Sequence, residues 1–188
     1  MKILLLDRPL SAPVSVSDRV DMMADSSIVL PGKPVFLPDE GEGFSASILP
    51  AFRIGRLGRS IAPKFARRYY DAFTLVLRVI PPRSSDIPEG SAIAVSFDSA
   101  LSVGQWIPVD SIPEVVTLRS DIFPYLVSFS RADLLIDDTI SMLSRYFTLK
   151  NGDIIIPSLS PAPVFKLAVD TRVSAAVDSF NLLDVKIK

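Results

Sequence analysis

The sequence predicts an α+β fold made of mostly antiparallel or mixed β-sheet with two short helices. Segments rich in β-branched and aromatic residues outnumber segments with helical periodicity. Sixteen prolines against eight glycines indicate short elements with stiff connections. The chain also lacks the regular alternation of strand and helix that a parallel sheet requires. With 48% apolar residues, the 188 residues can bury a sizeable core, and we expect residues 1–188 to form a single domain.

The first half of the chain contains five strand-like segments. The Pro31-Gly32 pair predicts a turn between two of them. Pro50 lies inside another segment and indicates a strand edge or a bulge, because proline cannot donate a hydrogen bond to a sheet. The predicted strands span residues 2–6, 27–30, 34–37, 45–54 and 73–80. The acidic loop at residues 39–42 lacks the spacing of a calcium loop, and we interpret it as surface.

Two helices are predicted. Pro63 begins the first, at residues 63–71, because proline is tolerated at a first helical position. The second spans residues 131–147, where Ser130 can cap the helix and Asp133 is favoured by the helix dipole. One apolar stripe along this helix comprises Ile136, Ile140, Leu143 and Phe147.

Strands are predicted to follow in the second half of the chain. They span residues 91–97, 115–118, 122–129, 153–156, 163–169 and 182–187. Pro124 breaks the third of these, and the Asn151-Gly152 pair predicts the turn that leads into the fourth. Strands on both sides of the long helix again favour a mixed α+β arrangement.

The composition excludes several kinds of chemistry. The chain contains neither Cys nor His, which removes disulfides, thiolate nucleophiles, soft metal sites and the commonest general base. The formal net charge is −1, so no overall field draws the protein to nucleic acid or to an anionic membrane. The apolar run at residues 3–6 is too short for a signal peptide, and no run reaches membrane-spanning length. We therefore expect a cytoplasmic protein with neither partner.

Four segments carry a recognisable pattern in one order along the chain. The strongest are RIGRLGRSI at residues 53–61, followed by KFA and YYD, and SRYFTLKNGDII at residues 144–155. FD at residues 97–98 precedes WIP, and LLD at residues 182–184 lies near the end of the sequence. Together they resemble the fumarylacetoacetate hydrolase superfamily, and most of all its small bacterial single-domain members. Residues 1–43 match that pattern only weakly.

The resemblance implies a fold, a cofactor and a set of site positions. The superfamily fold is a β-rich roll of mixed sheets, usually dimeric. Active members hydrolyse C–C bonds, or decarboxylate or isomerise oxo-acids, with a divalent cation that a Glu-x-Glu pair and a later Asp hold. In this sequence the matching positions are Ser47 and Leu49 for the Glu pair and Arg78 for the Asp. The catalytic Lys of the superfamily falls on Ser96.

Other functional positions of the superfamily are missing too. The sequence PSLS at residues 157–160 replaces a Gly-Thr-Pro turn, and the histidine of the superfamily's lid cannot exist in a chain without His. The resemblance therefore implies a scaffold with no catalytic residues, no metal ligands and no cofactor. We expect an inactive protein with a structural, regulatory or partner-subunit role, as a homodimer or in a complex with an active paralogue.

Two other functions stay open. Arg78 and Ser96 are candidate anion-binding residues, because a guanidinium can hold a small carboxylate through two hydrogen bonds. Alternatively, Arg78 pairs with Glu42 or Asp98, or the cleft around it has closed. An oxo-acid hydrolase, isomerase or decarboxylase would need a relocated metal site, with ligands such as Asp98 or Asp71.

A run of basic residues surrounds the first predicted helix. It contains no motif of nucleic-acid recognition, so we interpret it as a solvated face or a subunit contact. The run comprises Arg53, Arg56, Arg59, Lys64, Arg67 and Arg68. Tyr69 and Tyr70 are expected to pack against the sheet. The adjacent Asp137 and Asp138 are expected to point apart on a solvated helix face.

Overall fold

The computed structural model describes residues 1–38, 43–82, 87–88, 90–122, 125–158 and 162–188. Along these ranges the strands are β1 Lys2–Asp7, β2 Arg19–Ala24, β3 Ile28–Val29, β4 Ser45–Ile54, β5 Tyr70–Ile80, β6 Leu101–Val103, β7 Ile107–Pro108, β8 Val115–Ser120, β9 Tyr125–Ser130, β10 Ile154–Ile156, β11 Phe165–Lys166, β12 Arg172–Val177 and β13 Phe180–Lys186. The α-helices are α1 Pro63–Ala66, α2 Ala92–Val95 and α3 Ile136–Tyr146. The predicted acidic loop at residues 39–42, Pro124 and residues 159–160 lie outside the described residues.

The larger sheet curls until its two ends approach each other. Its strand order is β2-β1-β10-β4-β5-β6-β3, with β11 paired to β4 and β7 paired to β5. β1 runs parallel to β10 and β3 runs parallel to β6, whereas the neighbours β4 and β5 are antiparallel. β2 and β3 lie at opposite ends of this order, yet only the 3₁₀ turn Asp25–Ser27 separates them along the chain. The sheet therefore forms a roll, and Asp25–Ser27 bridges its seam.

Both faces of the two central strands are buried, which explains the almost continuous apolar sequence of β5. Side chains alternate across a strand, so β4 directs Leu49 and Ala51 to one face and Ile48 and Phe52 to the other. On the inner face of the roll, one apolar cluster joins side chains from β1, β2, β4, β5, β6, β10 and α2. On the outer face, a second cluster includes the smaller sheet and α3.

The smaller sheet, of order β13-β12-β8-β9, meets the roll at Gly104. The Gly104 N–H donates to the Leu75 carbonyl at 2.9 Å, and the Gln105 N–H donates to the Leu182 carbonyl at 2.6 Å. A Cβ atom at position 104 would lie 2.3 Å from the Leu182 carbonyl oxygen. Only glycine allows the two backbones to approach so closely. The junction between the two sheets therefore requires glycine at position 104.

The long predicted helix is interrupted. Residues Arg131–Leu134 form a 3₁₀ turn, and Leu135 adopts a left-handed conformation (φ 47°) before α3 begins. The predicted cap is confirmed, since Ser130 and Asp133 form a reciprocal capping box. A long-range contact lies at the interruption: the buried Arg8 guanidinium donates to the Leu134 carbonyl at 2.9 Å, beside the left-handed Leu135.

Two further predictions are wrong in kind or in length. The sequence predicts a strand at residues 91–97, but α2 lies there, because the Ser91 side chain accepts a hydrogen bond from the Ala94 N–H at 3.2 Å and caps it. The first helix is predicted to reach residue 71, but α1 ends at Ala66. Tyr70 already belongs to β5 and pairs with Ile54 across the sheet.

Four strands, β2, β6, β7 and β12, are missing from the sequence prediction. They are short or carry polar residues, and they form because neighbouring strands supply their hydrogen-bond partners. Pro50 lies in β4 between the segments that pair with β11 and with β10, so a proline is tolerated on an inner strand. No helix among the described residues is both long and apolar enough to cross a membrane.

Candidate functional site

The inner face of the β4–β5 pair brings the three predicted site positions together. Ser47 on β4 lies directly opposite Arg78 on β5, and Leu49 lies opposite Val76. Residues two apart on a strand share a face, so Ser47 and Leu49 both face Arg78's side of the sheet. Ser47 is 4% exposed and Leu49 is 1% exposed. The positions predicted from the sequence are therefore neighbours inside the roll.

The surroundings of Leu49 are apolar. Its side chain belongs to the inner cluster, and the members of that cluster on β1, β5 and β6 include Ile3, Leu5, Val76 and Leu101. Hard divalent cations bind oxygen ligands. Ca²⁺ takes six or more of them, and Mg²⁺ takes a near-octahedral set. The Ser47 hydroxyl, the Leu49 methyl groups and the Arg78 guanidinium do not provide such a set. These residues do not fit the metal that the fold family implies.

Arg78 lies beside a carboxylate that the sequence did not point to. Its side chain is 17% exposed, and one of its terminal nitrogens is 3.9 Å from a carboxylate oxygen of Asp21 on β2. Arg19 is the closer partner of Asp21, with hydrogen bonds of 2.9 and 3.3 Å. Among the described residues, the Arg78 guanidinium forms no hydrogen bond of its own. It is an enclosed cation with unused donors.

The charges around Arg78 nearly cancel. Burial lowers the pKa of Arg78, and Asp21 and then Asp7 offset part of that effect, whereas Arg19 adds to it. The group still remains cationic near neutral pH, since an ordinary guanidinium titrates far above it. The guanidinium groups of Arg19 and Arg78 and the carboxylates of Asp7 and Asp21 therefore lie together. We call this group of four charges the mouth of the roll.

Asp21 is not one of the two ion-pair partners, Glu42 and Asp98, that the sequence suggested for Arg78. Glu42 lies outside the described residues, and Asp98 is exposed and forms no ion pair within the described ranges. Asp21 was missed because residues 19–24 were not recognised as a strand. The available signal was the alternation of polar Arg19 and Asp21 with apolar Val20 and Met22, which is typical of a strand, and only the curl of the sheet brings Asp21 to Arg78.

Ser96 is engaged in structural hydrogen bonds. Its hydroxyl accepts from the Ala24 N–H at 2.9 Å and lies 2.8 Å from the Ser27 hydroxyl, which donates to the Ser96 carbonyl at 3.0 Å. These bonds hold the end of α2 against the seam of the roll. No hydrogen bond connects Ser96 with Arg78 in the described part of the chain, and the anion-binding role of the two residues stays a prediction.

The carboxylates considered for a relocated metal site are apart. Asp71 is exposed and accepts a hydrogen bond from Arg53 at 2.9 Å, which makes it an ion-pair partner. Asp98 lies on the surface after α2. Within the described ranges, no group of three or more acidic, His or Cys side chains is placed to hold a metal ion.

A cavity of about 440 Å³ lies on the outer face of the roll beside α3. Tyr70 lines it and packs edge-on against Phe52, with ring centroids 5.5 Å apart, which confirms its packing role. Asp137 also lines it, and its Oδ1 atom is buried without a hydrogen-bond partner, although Asp138 is exposed. The expectation that both aspartates are solvated is wrong for Asp137, which is partly buried and lies beside Tyr70.

No family model and no curated protein matches the chain. Solved structures do. A fumarylpyruvate hydrolase from Pseudomonas aeruginosa, in complex with Mn²⁺ and pyruvate, superposes with a TM-score of 0.79 at 17% identity, over 100% of this chain and 89% of that chain. A 5-carboxymethyl-2-hydroxymuconate delta-isomerase from Mycobacterium smegmatis superposes with a TM-score of 0.83 at 20% identity, over 99% of this chain and 78% of that chain. A protein from Yersinia pestis CO92 assigned to the fumarylacetoacetate hydrolase family superposes with a TM-score of 0.79 at 17% identity, over 100% of this chain and 92% of that chain.

At such identities the likeness shows the fold alone. The chain has a fumarylacetoacetate hydrolase-like α+β fold, which confirms the β-rich roll that the resemblance implied. The bound Mn²⁺ and pyruvate belong to the Pseudomonas enzyme.

Replacement of Arg78 tests how the mouth of the roll is stabilised. We expect Arg78→Met to leave the free energy of unfolding unchanged or to raise it by about 1 kcal/mol, because an enclosed cation without hydrogen bonds is replaced by an apolar side chain. Asp21→Asn should lower the free energy of unfolding by roughly 1–3 kcal/mol, because Arg19 and Arg78 then lack their shared counter-charge.

Urea unfolding measures both values, and Arg119→Met, at an exposed position of the smaller sheet, is the control. A loss of more than about 1 kcal/mol in Arg78→Met would contradict the view that Arg78 contributes little to stability.

Tyr70 should make the protein sensitive to alkali. Burial, and then Asp137, raise the pKa of Tyr70 above its ordinary value, and Arg67 and Arg131 offset part of the effect. The folded chain thus keeps a proton that the unfolded chain releases above about pH 10, so stability is complete below that pH and falls as the pH rises further. Tyr70→Phe should flatten the fall of unfolding free energy between about pH 10 and 11.5 by up to roughly 1.4 kcal/mol per pH unit.

The matched control is Tyr146→Phe, because Tyr146 is exposed. Equal pH slopes for wild type and Tyr70→Phe in urea titrations would refute the role given to burial of this phenol.

Proposed function

We propose that this chain is a non-catalytic member of the fumarylacetoacetate hydrolase superfamily. It acts as a structural, regulatory or partner subunit, and residues 1–188 form a single domain in the cytoplasm. The observation that carries the proposal is the inner face of the β4–β5 pair, where Ser47, Leu49 and Arg78 meet. A hydroxyl, a buried aliphatic side chain and a cation stand where the superfamily pattern has three carboxylates.

Electrostatics and packing both support this proposal. A guanidinium within a few ångströms of a divalent cation costs roughly several kcal/mol in a partly buried site, because both charges are positive. Leu49 also closes the position sterically, since it packs into the inner apolar cluster. A cleft with this lining favours close packing over metal binding.

The proposed assembly follows from the same reasoning. A chain without its own catalytic groups can still contribute a surface, either as a homodimer or in a complex with an active paralogue. The fold likeness to a hydrolase and an isomerase supports an inherited scaffold, and the subunit role is the function that such a scaffold retains when its metal positions are replaced.

The first test is turnover. Purified protein supplied with Mg²⁺ or Mn²⁺ and an acylpyruvate is expected to show no C–C hydrolysis, decarboxylation or isomerisation above the rate without protein. A matched preparation of a structurally similar fumarylpyruvate hydrolase is the positive control. Metal-dependent turnover that follows the purified chain would end the proposal.

The second test restores the carboxylates. Ser47→Glu, Leu49→Glu and Arg78→Asp combined should create weak divalent-metal affinity, because three carboxylates then converge on the inner face. Isothermal calorimetry with Mn²⁺ measures it, and a rise in melting temperature with Mn²⁺ confirms binding to the folded state. The matched control carries Arg78→Asn in place of Arg78→Asp.

Because Leu49 is buried, the folded state of the restored variant is first verified by circular dichroism and chromatography. A folded triple variant with no heat signal and no thermal shift would show that these three positions do not mark the lost metal site.

A small-carboxylate binding module is the second candidate function. The observation that favours it is the unused donor capacity of Arg78, whose ion-pair partner among the described residues, Asp21, is 3.9 Å away. A planar guanidinium with free N–H groups can take a carboxylate through two parallel hydrogen bonds. Asp21 remains free to pair with Arg19 while Arg78 binds the ligand.

Thermal unfolding in a panel of formate, acetate, pyruvate, oxalate and succinate tests that candidate, with chloride at equal ionic strength as reference. One carboxylate should raise the wild-type melting temperature by a few degrees at about one hundred times its Kd, by mass action. Arg78→Met and Arg78→Lys should lose the shift, and Arg119→Met should retain it. The candidate is rejected if every carboxylate behaves like chloride or if the shift persists in Arg78→Met.

A further inference from the structure

One surface combines exposed apolar side chains with cations that form no ion pair with any described carboxylate. Its apolar members are Leu57, Phe65 and Tyr146, which are 66%, 41% and 63% exposed. Its cations are Arg56, Arg59, Lys64, Arg68 and Arg145. We call this set the basic-apolar surface.

Backbone contacts make the surface continuous. Gly58, next to Leu57, exchanges two hydrogen bonds with Leu149, at 3.0 and 2.9 Å. The Ser60 N–H donates to the Ser144 carbonyl at 2.8 Å, which sets Arg59 beside the turn of α3 that carries Arg145 and Tyr146. α1, with Phe65, packs on α3. The segment before α1 and the end of α3 thus form one face.

The charge of this face is not neutralised. Residues 52–70 contain six basic residues and no acidic one, although the whole chain has a net charge of −1. Arg53 pairs with Asp71 and Arg67 pairs with Asp110. Within the described ranges, the five cations of the basic-apolar surface form no ion pair. The face is therefore strongly positive on a protein that is otherwise slightly acidic.

Ring contacts hold several of these cations in place. The Lys64 ammonium is 5.0 Å and the Arg68 guanidinium 5.1 Å from the Phe65 ring centroid. Arg56 lies 6.0 Å from the ring of Tyr69. Cations held on aromatic rings lose less freedom when they bind an anionic group.

A groove adjoins the surface. It has a volume of about 510 Å³ and runs between residues 11–16 and α3. Pro13, Val14 and Val16 form an apolar wall and Met142 part of the opposite one, and Pro63 and Arg145 connect the groove to the basic-apolar surface. Ser11, Ser141 and Asp138 add polar groups to its lining, so the apolar anchor of a ligand lies against the side formed by residues 13–16. An apolar side chain can enter this groove while neighbouring carboxylates meet the cations.

We infer that the basic-apolar surface binds an acidic peptide segment of a partner protein, with Asp or Glu side chains on Arg59 and Arg145 and an apolar anchor in the adjoining groove. Bidentate arginine–carboxylate pairs provide orientation, and burial of Leu57 and Tyr146 provides affinity. The inference builds on the proposed partner-subunit role, since it gives that partner a chemistry.

Charge complementarity favours this occupant over the others. A second copy that presented the same face would oppose five cations to five cations. Nucleic acid would satisfy the cations but leave Leu57 and the apolar wall of the groove uncovered, and the Phe65 ring already carries two cations where a base would stack. A membrane surface is flat, whereas the groove is concave.

A random peptide library displayed on phage tests the inference. It is selected on wild-type protein and counter-selected on the Arg59→Glu/Arg145→Glu variant. Selected peptides should be enriched in Asp and Glu next to Leu or Phe. By fluorescence anisotropy, the double variant should bind a selected peptide at least about tenfold more weakly than wild type, and Leu57→Ser about three- to tenfold more weakly.

The control Arg119→Glu, which adds a negative charge to the smaller sheet, should keep the affinity within about twofold. Peptides with Gln in place of Glu, or Ser in place of Leu, should lose binding. The inference is overturned if selection yields no acidic peptides, if Arg59→Glu/Arg145→Glu and Arg119→Glu bind equally, or if single-stranded DNA or anionic phospholipid vesicles bind more tightly than the peptide. It is also overturned if Leu57→Ser converts a dimer to monomer in chromatography.

The variants are first shown to have wild-type melting temperatures. Catalytic turnover by the chain would end the proposed function yet leave peptide binding to be measured, and loss of peptide binding would leave the turnover result unchanged. The two failures are therefore distinguishable.

Discussion

The closure of the larger sheet is the constraint on which the rest of the structure depends. β2 and β3 follow each other in the chain but pair with opposite ends of the sheet, and Asp25–Ser27 connects them. Ser27 and Ser96 lock this connection to α2 through paired hydroxyl and carbonyl hydrogen bonds. Without the closure, the inner cluster would face water, and Asp21 would have no route to Arg78.

The closed roll determines what its interior can do. Apolar side chains from most of its strands fill the inner face, and among the described residues Arg19, Asp21 and Arg78 balance one another at its mouth. One fold can hold different chemistries when the side chains at the same backbone positions differ, because function depends on the site and not on the scaffold. The fold that this chain shares with a hydrolase and an isomerase therefore does not by itself assign their activities to it.

Local patterns predicted much of the fold. β1, β4 and β5, the Ser130 cap and the strand after Asn151-Gly152 follow from periodicity and turn chemistry. Long-range contacts decided the rest. At the break before α3, Arg8 bonds to the carbonyl that precedes Leu135, 126 residues away in sequence, and no local pattern reveals such a contact. The family resemblance could assign Ser47 and Arg78 to one site, but only the curled sheet could add Asp21 to them or place Ser96 at the seam.

The pairing of β1 with β10 has a consequence for synthesis on the ribosome. β1 starts at Lys2, whereas its parallel neighbour starts at Ile154. About 150 residues must therefore be added after β1 before this apolar strand gains its second neighbour, a delay of roughly ten seconds or more at ordinary elongation rates. The Arg8 side chain likewise cannot bond the Pro157 carbonyl until 149 further residues have been made. During that interval the nascent β1 has one unpaired edge and exposed apolar side chains, which favour chaperone binding or aggregation.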